Sequence, residues 1–347
     1  MPFERKERLE SIQILRGLAA FNVMMFHFTC ANNNFMAKLP AIGDIFQYGG
    51  QGVQAFFVIS GFVIPYYMKK SNYKANKDSF SFLGSRLIRL EPPYIASIAI
   101  SVVLAYLASK APGFQGPPFV LDIAGLSLHL LYLAPWFGKG WVNGVYWTLA
   151  IEFQYYIFML IFGQLIISKN KWNVLLFLCI SLLMCYLSRD ERLICISLCY
   201  FMFGFIAFIY YNDMLPRWQI AIAFIVVLAT ALYLGSLSKF VVALITCFLI
   251  FVPLKKPLPI LSFLGTISYS LYLFHVPIGD RVINLGARIP PLLLLGACLI
   301  AIIVTIAASW LMWRLVEHPA VRLAHLWTAR RRRVSGPLLQ NRPATTA

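Results

Sequence analysis

Apolar residues in this chain neither alternate nor form narrow stripes. They come in long blocks separated by short polar and basic segments. Ten blocks are predicted to be helices, over roughly 11–30, 50–68, 92–109, 145–167, 173–188, 193–211, 218–235, 240–254, 259–279 and 291–316. Crossing a bilayer takes about 20 apolar residues in a helix, and most of the blocks meet that length. The fold class expected is all-α: a polytopic membrane protein with about ten transmembrane helices around a central cavity. The blocks 173–188 and 240–254 are short for a crossing. Val120–Trp136 is also apolar, and charge places it outside or re-entrant rather than spanning.

The charge argument is topological. With ten spans and a cytoplasmic N-terminus, 21 of the 30 Lys and Arg fall on the inner side and 8 on the outer, with Arg16 inside the first span. If Val120–Trp136 crossed, every later loop would invert and Arg330–Arg333 would lie outside. The positive-inside rule disfavours that arrangement. Both termini are therefore expected in the cytoplasm, and a net charge of +17 is read as topogenic, not as a nucleic-acid surface. No nucleic-acid partner is expected.

Of the 347 residues, 60% are hydrophobic and 12% charged, and the mean hydropathy is +0.74, which excludes an ordinary soluble domain. Residues 1–320 are expected to form one transmembrane domain, and 321–347 a basic, disordered cytoplasmic tail. The seven cysteines fall mostly within apolar blocks, without metal-ligand spacing, and are read as small buried hydrophobes. No metal site is expected.

Ionisable residues inside the blocks carry the candidate chemistry. Arg in a spanning helix costs about 2.5–3.5 kcal/mol, so such residues usually face a polar cavity. Arg16 and His27 are eleven residues apart, which returns them to within about 20° of one helix face and separates them by about 16 Å. Snorkelling of Arg16 and a packed His27 are the bland alternatives. Arg86 and Arg89, three apart, share a face and suit an anion, although positive-inside anchoring also accounts for them. Glu152 lies within a span beside Trp147, Tyr155 and Tyr156; it meets an arginine, orients His27, or contacts acceptor hydroxyls. His275 ends the ninth block near the outer interface. Glu317 closes the tenth, where structural pairing is the expected role.

Taken together these segments resemble the acyltransferase 3 family of integral membrane acyltransferases over about residues 8 to 320. The resemblance rests on the Arg16/His27 pair, the Gly50–Phe62 run with Phe56, Phe57, Ser60 and Gly61, and the Arg86, Arg89, Pro92 element. It also rests on Trp147–Tyr156 around Glu152, the segment ending at His275, and Glu317 with Pro319. It implies transfer of an acyl group, usually acetyl from cytoplasmic acetyl-CoA, to a hydroxyl of a carbohydrate or glycolipid acceptor at a bacterial inner membrane. On that reading Arg16, Arg86 and Arg89 grip the donor's phosphates. His27 acts as general base or as acyl carrier, with Arg16 and Glu152 in the catalytic group. Trp147, Tyr155, Tyr156 and His275 are the expected acceptor contacts. Membrane lipid, acyl-CoA and the acceptor are the expected partners. A transporter or flippase of a lipid-linked sugar is the alternative, disfavoured because the chain has no internal repeat. A non-catalytic scaffold is a third.

Overall fold

The computed structural model of the chain describes residues 2–111, 119–252, 258–286 and 290–335, and no strand occurs among the described residues. In chain order the helices are α1 (Pro2–Phe28), α2 (Asn33–Met36), α3 (Pro40–Ile45), α4 (Gly52–Lys70), α5 (Ala75–Ser109), α6 (Ile123–Leu130), α7 (Tyr146–Ile166) and α8 (Lys171–Leu187). There follow α9 (Ile194–Tyr211), α10 (Arg217–Leu234), α11 (Leu237–Leu249), α12 (Pro259–Thr266), α13 (Ser268–Phe274), α14 (Arg281–Gly286), α15 (Pro291–Met312) and α16 (His318–Ser335). Two π turns interrupt the later helices, His275–Asp280 between α13 and α14 and Trp313–Glu317 between α15 and α16.

Every predicted block falls on helix, but helix length and composition support fewer crossings than ten. Among the described residues, five stretches are long and apolar enough to span: Ala75–Ser109, Tyr146–Ile166, Ile194–Tyr211, Arg217–Leu234 and Pro291–Arg330. A sixth arises if α12 and Ser268–Gly286, bent by 63° at Ile267, form one broken span. α8 and α11 are shorter, and α1 and α4 interrupt their apolar faces with polar side chains such as Gln13, Arg16, His27 and Gln54. Segment Val120–Trp136 contains only the eight-residue α6, far short of a bilayer. Asp122 caps α6, accepting from the Gly125 N–H at 2.8 Å, and its bond to Lys139 holds the carboxyl below the usual carboxylate range.

The chain is a multi-pass membrane protein whose most enclosed helix is α9. Phe201, Phe203, Phe205 and Phe208 on it are fully buried, with Phe57 and Tyr155 stacked on Phe201 at 4.7 and 4.1 Å between ring centres. α10 and α15, by contrast, expose Ile222, Ile225, Leu299 and Ile303, a surface that calls for hydrocarbon as solvent. Glycines set the closest crossings. A Cβ at Gly61 would collide with the Phe201 carbonyl, and one at Gly204 with the Val58 carbonyl, so α4 and α9 meet backbone to backbone. Gly17 and Gly265 bring α1 and α12 together in the same way. α1 thereby sits against α4, α12, α13 and the first π turn.

Two expectations are corrected. The third block was expected to begin at about 92, yet α5 starts at Ala75 and runs through Pro92 and Pro93. The proline-bearing stretch is tied to α13, the Leu90 carbonyl accepting from Tyr269 OH at 2.9 Å. The tail, expected to lose structure from 321, is helical through Ser335 because α16 packs along α5, with Trp327 against Phe80 and Gly84. Lys255, Lys256, Arg288 and the chain past Ser335, all part of the charge argument, lie outside the described residues.

Candidate active site

A cavity of about 490 Å³ opens between α1, α4, α5, α7, α12, α13 and the second π turn. Its wall brings together Arg16 from α1, Arg86 and Arg89 from α5, Glu152 and Tyr156 from α7, Tyr269 and Tyr272 from α13, and Glu317. These residues are spread over most of the sequence. Three guanidinium groups thus face two carboxylates in one enclosure, so the wall carries an excess of positive charge.

Arg86 is held by aromatic rings. The Arg86 guanidinium lies over Phe82 at 5.6 Å and Tyr156 at 5.8 Å, an arrangement suited to the planar group. Its Nε–H is buried and has no hydrogen-bond partner among the described residues. Tyr156 OH donates to Glu152 Oε1, fixing that carboxylate beside the arginines. Arg16 lies within electrostatic reach of Arg89, Glu317, Glu152 and Tyr156.

Glu317 is the residue the sequence undervalued. It is buried, lines the cavity, and accepts from the Ser270 N–H at 3.2 Å and Ser270 Oγ at 2.7 Å. The π turn at Trp313–Glu317 widens the helix just where this side chain must turn inward, and Pro319 beyond it has no N–H to close a regular turn. The Glu-x-Pro pattern was visible in the sequence; the widened turn was not.

The wall also carries Phe56 and Tyr272, edge to face at 5.8 Å, with the Tyr272 and Thr148 hydroxyls 2.8 Å apart. Tyr272 is next to His275 (rings 5.8 Å apart), and His275 is next to His27 (5.0 Å). Arg16 lines the cavity and His27 does not. The rings of Tyr272, on the cavity wall, and His275 form an aromatic layer from the cavity to His27.

The remaining expected residues separate. Tyr156 joins the cavity. Tyr155 packs in the α4–α9 core, donating to the Ser60 carbonyl at 3.1 Å and stacking on Phe201. Trp147 is 39% exposed and lies outside the cavity wall. His275 is fully buried beside His27. Gln13, bonded to Thr266 Oγ1 at 2.6 Å, and Tyr269 line the cavity without having been expected there.

No curated protein and no solved structure matches the chain. A family model described as an acyltransferase domain matches residues 9–314, a span that holds Arg16, His27, both cavity arginines of α5, Glu152 and His275. The chain belongs to the acyltransferase 3 family and is a membrane acyltransferase.

Proposed function

We propose that this enzyme moves an acetyl group from cytoplasmic acetyl-CoA to a hydroxyl of a carbohydrate-like acceptor, such as a surface polysaccharide or its lipid-linked precursor. The membrane on this reading is the bacterial inner membrane, with both termini cytoplasmic. The observation that carries it is the cavity's charge: three arginines against two carboxylates, with the Arg86 Nε–H buried and unbonded. A donor bearing phosphates supplies the missing acceptors.

With its phosphates near Arg16, Arg86 and Arg89, the donor's pantetheine arm extends toward Tyr272 and Phe56. Opening of that aromatic layer brings the thioester to His27. The acceptor oxygen attacks the thioester carbonyl carbon as its proton passes to His27. The C–S bond then breaks and the thiolate recovers a proton from the imidazolium. In the two-step variant a His27 nitrogen takes the acyl group first and passes it on. The Thr148 and Tyr272 hydroxyls, at the layer the thioester crosses, are suited to stabilise charge on the carbonyl oxygen.

The test is thiol release from acetyl-CoA by membrane vesicles containing the full-length protein. His27→Ala is expected to abolish transfer at an unchanged membrane level. Loss of the protein from the membrane would make His27 structural. Absence of thioester turnover by the wild type would favour passage of a lipid-linked sugar.

A further inference from the structure

We propose that His275 is a positioning residue for the transfer: a neutral imidazole that accepts a hydrogen bond from His27 and holds it in the tautomer that removes the acceptor's proton. The proposal rests on the reading of His27 as the base. Three independent features of the fold converge on it.

The first is the tautomer. His275 Nδ1 lies 3.1 Å from the Leu271 carbonyl oxygen, which only accepts, so Nδ1 carries the proton and Nε2 presents a lone pair. His275 is fully buried, and no group among the described residues bonds that Nε2. A histidine kept only for packing has no reason to hold an unsatisfied nitrogen inside the protein, where it costs about 1–3 kcal/mol. With ring centres 5.0 Å apart, a modest rotation brings one nitrogen of each imidazole to the roughly 3 Å of a hydrogen bond.

The second is the backbone under His275. The π turn His275–Asp280 contains Pro277, which has no N–H for the Leu273 carbonyl four residues earlier. That carbonyl accepts instead from Ser97 Oγ at 3.1 Å and Asn143 Nδ2 at 3.0 Å, both buried. Side chains from two other parts of the chain thus secure the turn on which His275 stands. π turns of this kind recur at functional positions.

The third is the approach to α1. Gly279 lies so close to Phe28 that a Cβ would collide with its ring, which seats the turn directly against the end of α1 that carries His27. In this enclosed setting a neutral imidazole orients the base without the desolvation penalty of a buried carboxylate. As His27 gains the acceptor's proton, its bond to His275 Nε2 strengthens; as the thiolate takes the proton, the pair returns to its neutral state.

Full-length variants in native-membrane vesicles, with radiolabelled acetyl-CoA and endogenous acceptor, test this. His275→Ala is expected to lower kcat roughly 10- to 100-fold while the KM for acetyl-CoA stays within about twofold. His275→Gln, whose amide oxygen can accept from His27, is expected to keep more of kcat than His275→Ala. A kcat for His275→Ala near the wild-type value, or a Gln variant no better than Ala, overturns the proposal. So does failure of both variants to accumulate in the membrane, which would make the role one of packing. If His27→Ala abolishes transfer while His275→Ala does not, this proposal fails and the reading of His27 stands. If His27→Ala transfers normally, both fail.

Discussion

Gly61 and Gly204 face each other across the crossing of α4 and α9, each beneath a backbone carbonyl of the opposite helix. The contact is tight because neither residue has a Cβ, and it seats the Phe57–Phe201–Tyr155 stack behind one wall of the cavity. Close crossings of this kind are how helices associate where lipid removes the hydrophobic drive. Gly61→Ala or Gly204→Ala is expected to destabilise the protein by about 1–3 kcal/mol, as overpacking does. A lowered melting temperature of the detergent-purified variant checks this; an unchanged one means the helices have room to part.

Arg86→Ala is expected to raise the KM for acetyl-CoA far more than that for the acceptor. Loss of one charge-assisted contact, about 1.5–3 kcal/mol, corresponds to a roughly 10- to 100-fold change. Saturation curves for each substrate separate the two; equal rises would assign Arg86 to the architecture of the cavity.

Glu317→Ala removes the acceptor of two Ser270 donors inside the protein. The expected loss is about 1–3 kcal/mol of stability, whereas Glu317→Gln keeps an oxygen for Ser270 and retains most of it. Thermal unfolding of both variants gives the comparison. If Gln fails as badly as Ala, the negative charge beside Arg16 and Arg89 is what matters.

Phe56→Ala removes the ring packed edge to face on Tyr272, which itself adjoins His275. Thiol release without acceptor transfer, meaning hydrolysis of the thioester by water, is expected to rise as a share of total turnover. Comparing released thiol with acylated product measures it. An unchanged ratio would show that Tyr272 alone closes the passage.

Much of the site was legible because charge inside an apolar block is costly, as at Arg16 and Glu152, and because Arg86 and Arg89 are spaced to share a helix face. Arg16, Arg86, Arg89, Glu152 and Tyr156 were singled out from the sequence, and the fold places all five on one cavity wall. What could not be read was orientation among the aromatics. Tyr155 and Tyr156 are adjacent, yet one stacks in the core on Phe201 and the other faces the arginines, because neighbours on a helix point about 100° apart. Nor could periodicity show that Phe56 and Tyr272, from helices distant in sequence, would meet on one cavity wall. Nor could local rules show that α5 would run from Ala75 through Pro92 and Pro93, tied to α13 by the bond from Tyr269 to the Leu90 carbonyl.

The widened turns have a final consequence, for chain length. Each inserts a residue into a 3.6-residue repeat and so rotates everything beyond it by about 100°. Past the first, that phase brings Asn284 within 3.2 Å of Asn32 and 2.9 Å of Asn34. Excising one residue between 275 and 280 would leave hydropathy and composition almost untouched, yet swing Asn284 off its partners and unlatch α14 from the loop after α1. At these two places the number of residues is as much a part of the catalyst's specification as their identity.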